Sequence, residues 1–328
     1  MKKSRYKVLC SAPTHFLPEI EDRLNKSFET IYAFRYSKKE IKGLIHDVNA
    51  YITDPGANFR IDSDLLNEAL KLKIIVTPST GSNHIDTNFC VKKGIEVESL
   101  KGKEEVIENI HASAEFSFGL LLALIRKLPF SVELAKEGIW REKEDLFRGI
   151  ELHGKTVGIV GLGRIGKKMV KFSKAFNAKV IYFDPFVENY DKSIKRINSL
   201  KKLLSMSDIV CIHVHLDNTT EKMISYDEFK EMKRNSYFIN TSRGEIVDDA
   251  ALIDALESKK ILAAGIDVIS EEQQETLENH LLIDYARKHE NLIITPHIAG
   301  CTVDSQRKSA QYALDVLNNF FYGGNDEH

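Results

Sequence analysis

Short runs of apolar and β-branched residues punctuate the chain. Longer stretches between them place apolar residues at a helical rhythm. The clearest runs are YKVLCSA (6–12), DVNAYIT (47–53), LKIIVTPS (72–79), IEVES (95–99), KTVGIVG (155–161), AKVIYFD (178–184), DIVCIHV (208–214), SYFINTS (236–242), ILAAGIDV (261–268) and NLIITPH (291–297). Most lack polar alternation, the pattern of strands buried on both faces. Segments such as NSLKKLLSMS and SYDEFKEMKRN carry the helical period between them. Strand and helix alternating this often predict an α/β fold with parallel sheets. No repeat of fixed period and no low-complexity tract interrupts the pattern.

Two helical segments stand out by length. One is expected over 109–137, beginning NIHASAEFSFGLLLALIRKL, and the other is the amphipathic tail DSQRKSAQYALDVLNNFFYGG (304–324), which ends at a Gly-Gly stop. A new set of strands begins at Lys155. With 328 residues, two domains are expected. The division that follows is residues 1–106 joined by 300–328, and a central unit of 107–299. The apolar segment Phe116–Leu128 is too hydrophobic for a single amphipathic helix facing water.

Composition narrows the class. Apolar residues make up 43% and charged residues 29%, with a formal net charge of −2. No basic surface argues for nucleic acid, and no polybasic run argues for a membrane surface. FGLLLALI is far too short to span a bilayer, and the N-terminus has no apolar core of a signal peptide. The four cysteines, Cys10, Cys90, Cys211 and Cys301, are widely separated. They read as reduced thiols of a cytoplasmic protein.

The sharpest motif is Gly161-x-Gly163-x-x-Gly166. The strand TVGIVG precedes it, the helix RIGKKMVKFSKAF follows, and Asp184 ends the next strand. That context makes a dinucleotide fingerprint. The glycines let the backbone turn tightly and approach a pyrophosphate, and the helix N-terminus supplies free N–H groups. Asp184 would accept hydrogen bonds from the ribose hydroxyls and repel a 2′-phosphate, which favours NAD over NADP.

In an open α/β sheet, ligands sit outside the carboxyl ends of the strands. After the fingerprint, those ends offer Arg243 in NTSRG, Asp267 and Glu272 in GIDVISEE, and His297 in TPHIAG. Arginine presents a planar cationic fork that fits a carboxylate. Histidine holds and releases a proton near neutral pH, and a neighbouring carboxylate favours its protonated form. Together they supply a carboxylate clamp and a proton donor, the parts needed to reduce a 2-keto acid with a nicotinamide hydride.

In VGIVGLGRIGKKM, INTSRGEIVDDAAL, AAGIDV and LIITPHIAG, in that order, the chain resembles the D-isomer-specific 2-hydroxyacid dehydrogenases of the phosphoglycerate dehydrogenase-like group. The resemblance implies two Rossmann-like, flavodoxin-like domains with an active-site cleft between them. It implies Arg243, Glu272 and His297 as the catalytic set, with Glu271 as the competing carboxylate. It places Asp267 on the nicotinamide carboxamide and Thr241, Ser242, His297 and Gly300 around the nicotinamide end. Arg164 and Ile165 join the glycines at the pyrophosphate. His213 and His215, in IHVHL, edge the adenine pocket. Both face one side of a strand, but no third ligand accompanies them, so no metal is expected. STGSNHID resembles the family's substrate loop, in which Thr80, Gly81 and Ser82 bind the substrate carboxylate. A proline usual after the glutamate is Gln273 here, and the connection to the histidine strand is longer than in the shortest members.

The expected function is NAD-dependent interconversion of a 2-keto acid and a D-2-hydroxy acid by a homodimer, with Phe116–Leu128 at or near the interface. An NAD(H)-sensing regulatory protein of the same family is the alternative. Tyr226-x-x-x-Lys230 would suit a short-chain dehydrogenase but follows the wrong glycine pattern and reads as an exposed helical pair. The chain ends soon after its last helix, so no appended regulatory domain is expected. Phosphoglycerate, glycerate, lactate-like and sugar-derived acids all remain open as substrates.

Overall fold

In a computed structural model, residues 5–188, 190–272 and 276–323 are described. The chain divides into two compact units. One comprises the residues up to Ile110 together with those from Cys301 onward, and the other His111–Glu272 with Thr276–Gly300. The breaks fall a few residues beyond 106/107 and one beyond 299/300.

The first unit holds a five-stranded sheet, with strands β1 (Lys7–Cys10), β2 (Glu29–Tyr32), β3 (Ala50–Ile52), β4 (Ile74–Thr77) and β5 (Glu96–Ser99) in the order β2-β1-β3-β4-β5. The second holds a seven-stranded sheet: β6 (Thr156–Val160), β7 (Lys179–Phe183), β8 (Lys195–Arg196), β9 (Ile209–Ile212), β10 (Ser236–Asn240), β11 (Ile261–Ile266) and β12 (Leu292–Ile294). Their order is β12-β11-β10-β9-β6-β7-β8. Every pair of neighbours in both sheets runs parallel.

The pleat explains the unbroken apolar runs. Val8 and Cys10, Ala50 and Ile52, and Ile74 and Val76 enter the core on one face of the first sheet; Leu9, Tyr51 and Ile75 enter the core on the other. In the second sheet Val160, Val210, Ile212 and Phe238 face one core and Val157, Ile159, Cys211 and Ile239 the other. Each fully buried large aliphatic contributes about 1.5–3 kcal/mol. The helix Val303–Tyr322 packs on the first unit through Ala310, Ala313, Leu314 and Leu317 and ends at Gly323, φ +75°.

The ladders are shorter than the apolar runs. The surplus residues at each carboxyl end, such as Gly161, Asp184, His213, Thr241, Asp267 and His297, leave the sheet and become its loops. β2 and β8 were not among the expected strands. Both lie at sheet edges, and both are short.

The single helix expected over 109–137 is two, Ala112–Ile125 and Leu128–Lys136. Lys127 adopts φ +53° between them. A continuous helix would drive the Pro129 ring into the Ile125 carbonyl and lose a hydrogen bond; in the first turn of a new helix proline costs neither. The apolar excess of Ala112–Ile125 is absorbed inside the unit. Phe118, Leu120, Leu121, Leu124 and Ile125 are buried, and the helix packs on β10, β11 and the helix Arg164–Ala175. Exposed apolar side chains lie beyond the break, at Leu128, Val132, Trp140 and Leu146. Among the described residues, no helix is long and apolar enough to cross a membrane, and no group of three or more His, Cys, Asp and Glu is arranged to hold a metal ion.

Candidate active site

The second sheet reverses its winding between β6 and β9, where an open parallel sheet forms a crevice. Gly161 ends β6 there with φ +89°, and a Cβ on it would lie 2.6 Å from the His213 carbonyl oxygen. A Cβ on Gly166 would lie 2.2 Å from the Gly161 carbonyl oxygen, so the first turn of the helix Arg164–Ala175 presses on the loop. Gly163 is the exception: a Cβ there meets nothing within 4 Å. Two glycines are thus demanded by packing, and the third opens space ahead of a helix N-terminus. Arg164 and Ile165 begin that helix.

Asp184 is buried at the end of β7. Its carboxylate accepts from the amides of Leu162 at 2.7 Å, Phe186 at 2.8 Å and Val187 at 3.0 Å, which ties the glycine loop to the next strand end. Both ring nitrogens of His213 are buried, without a hydrogen-bond partner among the described residues. Burial pushes its pKa down to about 4, so the ring is neutral at ordinary pH. His215 is exposed. An open glycine position at a helix N-terminus, a carboxylate on the next strand and an imidazole with orphaned nitrogens fit a bound dinucleotide.

At the end of β10, buried Asn240 shapes the turn. Its Oδ1 accepts from the Ser242 amide at 3.0 Å and hydroxyl at 2.7 Å, and its Nδ2 donates to the Arg243 carbonyl at 2.9 Å. Thr241 Oγ1 lies 2.5 Å from Ser117 Oγ. Arg243 is half-buried and donates through Nη1 to the Ser242 carbonyl at 2.6 Å. Gly244 admits no side chain, since a Cβ would sit 1.9 Å from the Ile269 carbonyl carbon. The backbones beyond β10 and β11 therefore touch directly.

Asp267, at the end of β11, is fully buried. Its Oδ1 accepts from Thr295 Oγ1 at 2.6 Å and the Ile298 amide at 3.0 Å, and Oδ2 from the Ala299 amide at 2.7 Å. Its carbonyl accepts from the His297 amide at 2.8 Å. Burial raises its pKa, opposed by these hydrogen bonds. Asp267 thus holds the loop that carries His297. In that loop His297 has φ +53°, a conformation costing a non-glycine residue about 1–3 kcal/mol. Sequence reasoning gave Asn240 and Thr295 no part in this arrangement; both read as ordinary strand-end polar residues.

His297 Nδ1 lies 2.6 Å from Glu272 Oε1. Glu271, also with a left-handed φ of +52°, turns the chain immediately before Glu272 and is itself exposed. With Nδ1 turned to the carboxylate, Nε2 is the nitrogen left to meet a substrate. Gly300 closes the same loop.

In the first unit, Thr80, Gly81 and Ser82 follow β4. Ser79 Oγ donates to the Gly81 carbonyl at 2.6 Å and lies 3.0 Å from Thr77 Oγ1, while the Ser82 carbonyl accepts from the Ile85 amide at 2.9 Å. The loop is therefore fixed by its own side chains, where a glycine in place of Ser79 would leave it slack.

Comparison with known proteins identifies the family. Residues 118–299 match the model of the D-isomer specific 2-hydroxyacid dehydrogenase, NAD binding domain. A glyoxylate reductase of Thermococcus litoralis is 33% identical over 94% of this chain and 93% of its own length. A D-3-phosphoglycerate dehydrogenase of Methanocaldococcus jannaschii is 31% identical over 97% of this chain, which spans only 58% of that relative. The crystal structure of D-lactate dehydrogenase from Aquifex aeolicus, complexed with NAD and lactic acid, superposes with a TM-score of 0.79 at 27% identity, covering 97% of this chain and 96% of that one. The chain belongs to the D-isomer specific 2-hydroxyacid dehydrogenase family, and its second unit contains that family's NAD binding domain.

Proposed function

We propose that the protein interconverts a 2-keto acid and a D-2-hydroxy acid with NAD(H). The observation that carries this reading is the 2.6 Å contact between His297 and Glu272 at the carboxyl end of β12. It lies in the same unit as the glycine cradle and Arg243. Gly161, Gly163, Arg164, Ile165, Gly166, Asp184, His213 and His215 would hold the dinucleotide, and Thr241, Ser242, Asp267 and Gly300 its nicotinamide end. The bound cofactor supplies or accepts the hydride. His297, with Glu272 against Nδ1, gives a proton from Nε2 to the keto oxygen and takes it back in oxidation. Arg243 binds the carboxylate through its fork and stabilises charge developing on the oxygen. In the first unit, Thr80, Gly81 and Ser82 would offer backbone N–H groups to a substrate carboxylate. Among the described residues, no acceptor pairs with those three amides.

The test is NADH consumption with glyoxylate, hydroxypyruvate, pyruvate and phosphohydroxypyruvate, which span the acids named for the relatives. Turnover of at least one is expected. NADH binding without reduction of any of them, and without oxidation of the D-hydroxy acids, overturns the reading. Cofactor choice follows from Asp184: NADH is expected to outperform NADPH, and Asp184→Ala with Pro185→Arg to narrow the gap. Equal use of both cofactors by the wild type contradicts the role of Asp184. We also propose a homodimer. Its support moves from the buried helix Ala112–Ile125 to the exposed Leu128, Val132, Trp140 and Leu146 that follow it. Light scattering is expected to give twice the chain mass, and a monomer from Val132→Glu.

A further inference from the structure

Between β11 and β12 the chain makes a long excursion that carries Glu272. One small polar cluster grips it on both sides. Ser270, two residues before Glu272, donates its hydroxyl to the Asp249 carboxylate. His280 stands where the chain enters the helix Leu281–Ala286. Its Nε2 lies 3.1 Å from the Ser270 carbonyl oxygen, 3.5 Å from Ser270 Oγ and 3.4 Å from Asp249 Oδ2. Its Nδ1 accepts from the Leu282 amide at 3.3 Å. A ring nitrogen that accepts carries no proton, so the hydrogen sits on Nε2 and points at Ser270.

Three features set this cluster apart from a helix cap. The Asp249 and His280 side chains are only 13% and 12% exposed, so their polar groups have left water and depend on one another. A cap needs Nδ1 alone, yet Nε2 also reaches across to Ser270. The peptide beyond Ile269 is also confined from the other side. A Cβ on Gly244 would sit 2.3 Å from the Ser270 amide nitrogen. Residues 269 and 270 are thereby fixed between the β10 loop and the Asp249–His280 pair. Asp249 is itself anchored in the first turn of the helix Asp249–Glu257, capped by Asp248 through the Ala251 amide at 3.1 Å. From this platform the left-handed turn at Glu271 delivers Glu272 to His297.

We infer that Asp249, Ser270 and His280 are positioning residues that hold Glu272 in register with the His297 ring. The inference rests on the acid–base reading of Glu272 and His297. Glu272 stands two residues after Ser270, and a displacement of about 1 Å at a proton-transfer site can cost 10²-fold in rate. The clamp fixes the chain at Ser270, and through it the position from which Glu272 is delivered.

The two nitrogens of His280 can be separated by substitution. Asparagine places an acceptor where Nδ1 stands, so His280→Asn keeps the helix cap but loses the reach to Ser270. Glutamine places an amide N–H where Nε2 stands, so His280→Gln keeps that reach. The expected result is a kcat loss of about 10- to 100-fold for His280→Asn, with KM and NADH affinity little changed, and near-wild-type kcat for His280→Gln. In the double variant His280→Asn/Glu272→Gln, kcat should fall no further than in Glu272→Gln alone, since both act on one contact. Losses that multiply, or an unimpaired His280→Asn, overturn the inference. Ser270→Ala repeats the test by removing the bond to Asp249, should His280→Asn fold poorly. The nitrogen NMR signals of the His297 ring provide a readout without turnover. His280→Asn should move them toward the Glu272→Gln pattern, and His280→Gln should leave them in place. A wild type that reduces no 2-keto acid would sink the proposed function while leaving this comparison readable.

Discussion

The two sheets are built alike and finish differently. Both are parallel, and both are buried on two faces by alternating apolar residues. At the carboxyl ends of the first, polar groups largely satisfy each other. Ser11 Oγ donates to Tyr51 Oη at 3.0 Å and accepts from the Asp54 amide at 3.0 Å, while His84 Nε2 lies 3.1 Å from Thr53 Oγ1 and 3.3 Å from Thr77 Oγ1. At the ends of the second stand an arginine, an exposed histidine–glutamate pair and a histidine whose buried nitrogens have no described partner. The second sheet's ends also carry left-handed Glu271 and His297 and close, side-chain-free contacts at Gly161, Gly166 and Gly244. Layered α/β architecture accounts for both cores. At the second sheet's ends a histidine and a carboxylate meet at 2.6 Å, and the turns that bring them together are left-handed at Glu271 and His297.

The largest break in this comparison is chemical. His297→Asn is expected to fold and to bind NADH, yet to lose about 10²–10⁴-fold in turnover, the usual worth of a positioned proton donor. If His297 were packing, the variant would lose stability and keep its specific activity. Glu272→Gln should cost about 10- to 100-fold, the range of a hydrogen bond to a charged group, and Glu271→Gln should cost little. The reverse order of the two glutamates would move the acid partner to Glu271.

The next test sets one glycine against another. Gly244→Ala forces a Cβ into the Ile269 peptide and should destabilise the fold by about 1–3 kcal/mol in urea unfolding. Gly43 lies in the first unit's helix Lys38–Leu44, where a Cβ meets nothing within 4 Å. Gly43→Ala should stabilise by about 0.4–1 kcal/mol, because alanine has less freedom to lose on folding. A stabilising Gly244→Ala would show that the two loops do not press together.

The smallest effect is read in pH. His213 has a folded pKa of about 4 against an ordinary 6.5, so below pH 6.5 the unfolded chain takes up a proton that the folded chain refuses. Its contribution is neutral above pH 6.5, and stability is lost as pH falls from there toward 4. The urea midpoint of His213→Leu should therefore fall less than that of wild type across this window. Parallel profiles would mean that the His213 ring reaches water.

Much of this was legible in the chain. Apolar runs without alternation announced parallel strands, because a strand covered on both faces needs apolar residues on both sides of its pleat. Gly161, Gly163 and Gly166 announced a phosphate cradle: Gly161 and Gly166 admit no side chain, and Gly163 leaves space open ahead of a helix N-terminus. Reading strand ends pointed to Arg243, Glu272 and His297. Where local pattern ran out, the tertiary structure decided. Pro129 turned one expected helix into two, since proline cannot continue a turn already under way. The apolar excess of Ala112–Ile125 proved to be core, because only the packed neighbours show how many faces of a helix are covered. Glu271 and Glu272 are equivalent as letters; a backbone dihedral and a 2.6 Å contact separate them. Asp249, Ser270 and His280 form no motif in sequence, yet hydrogen bonds are made across space and not along the chain, so their meeting became visible only in the fold.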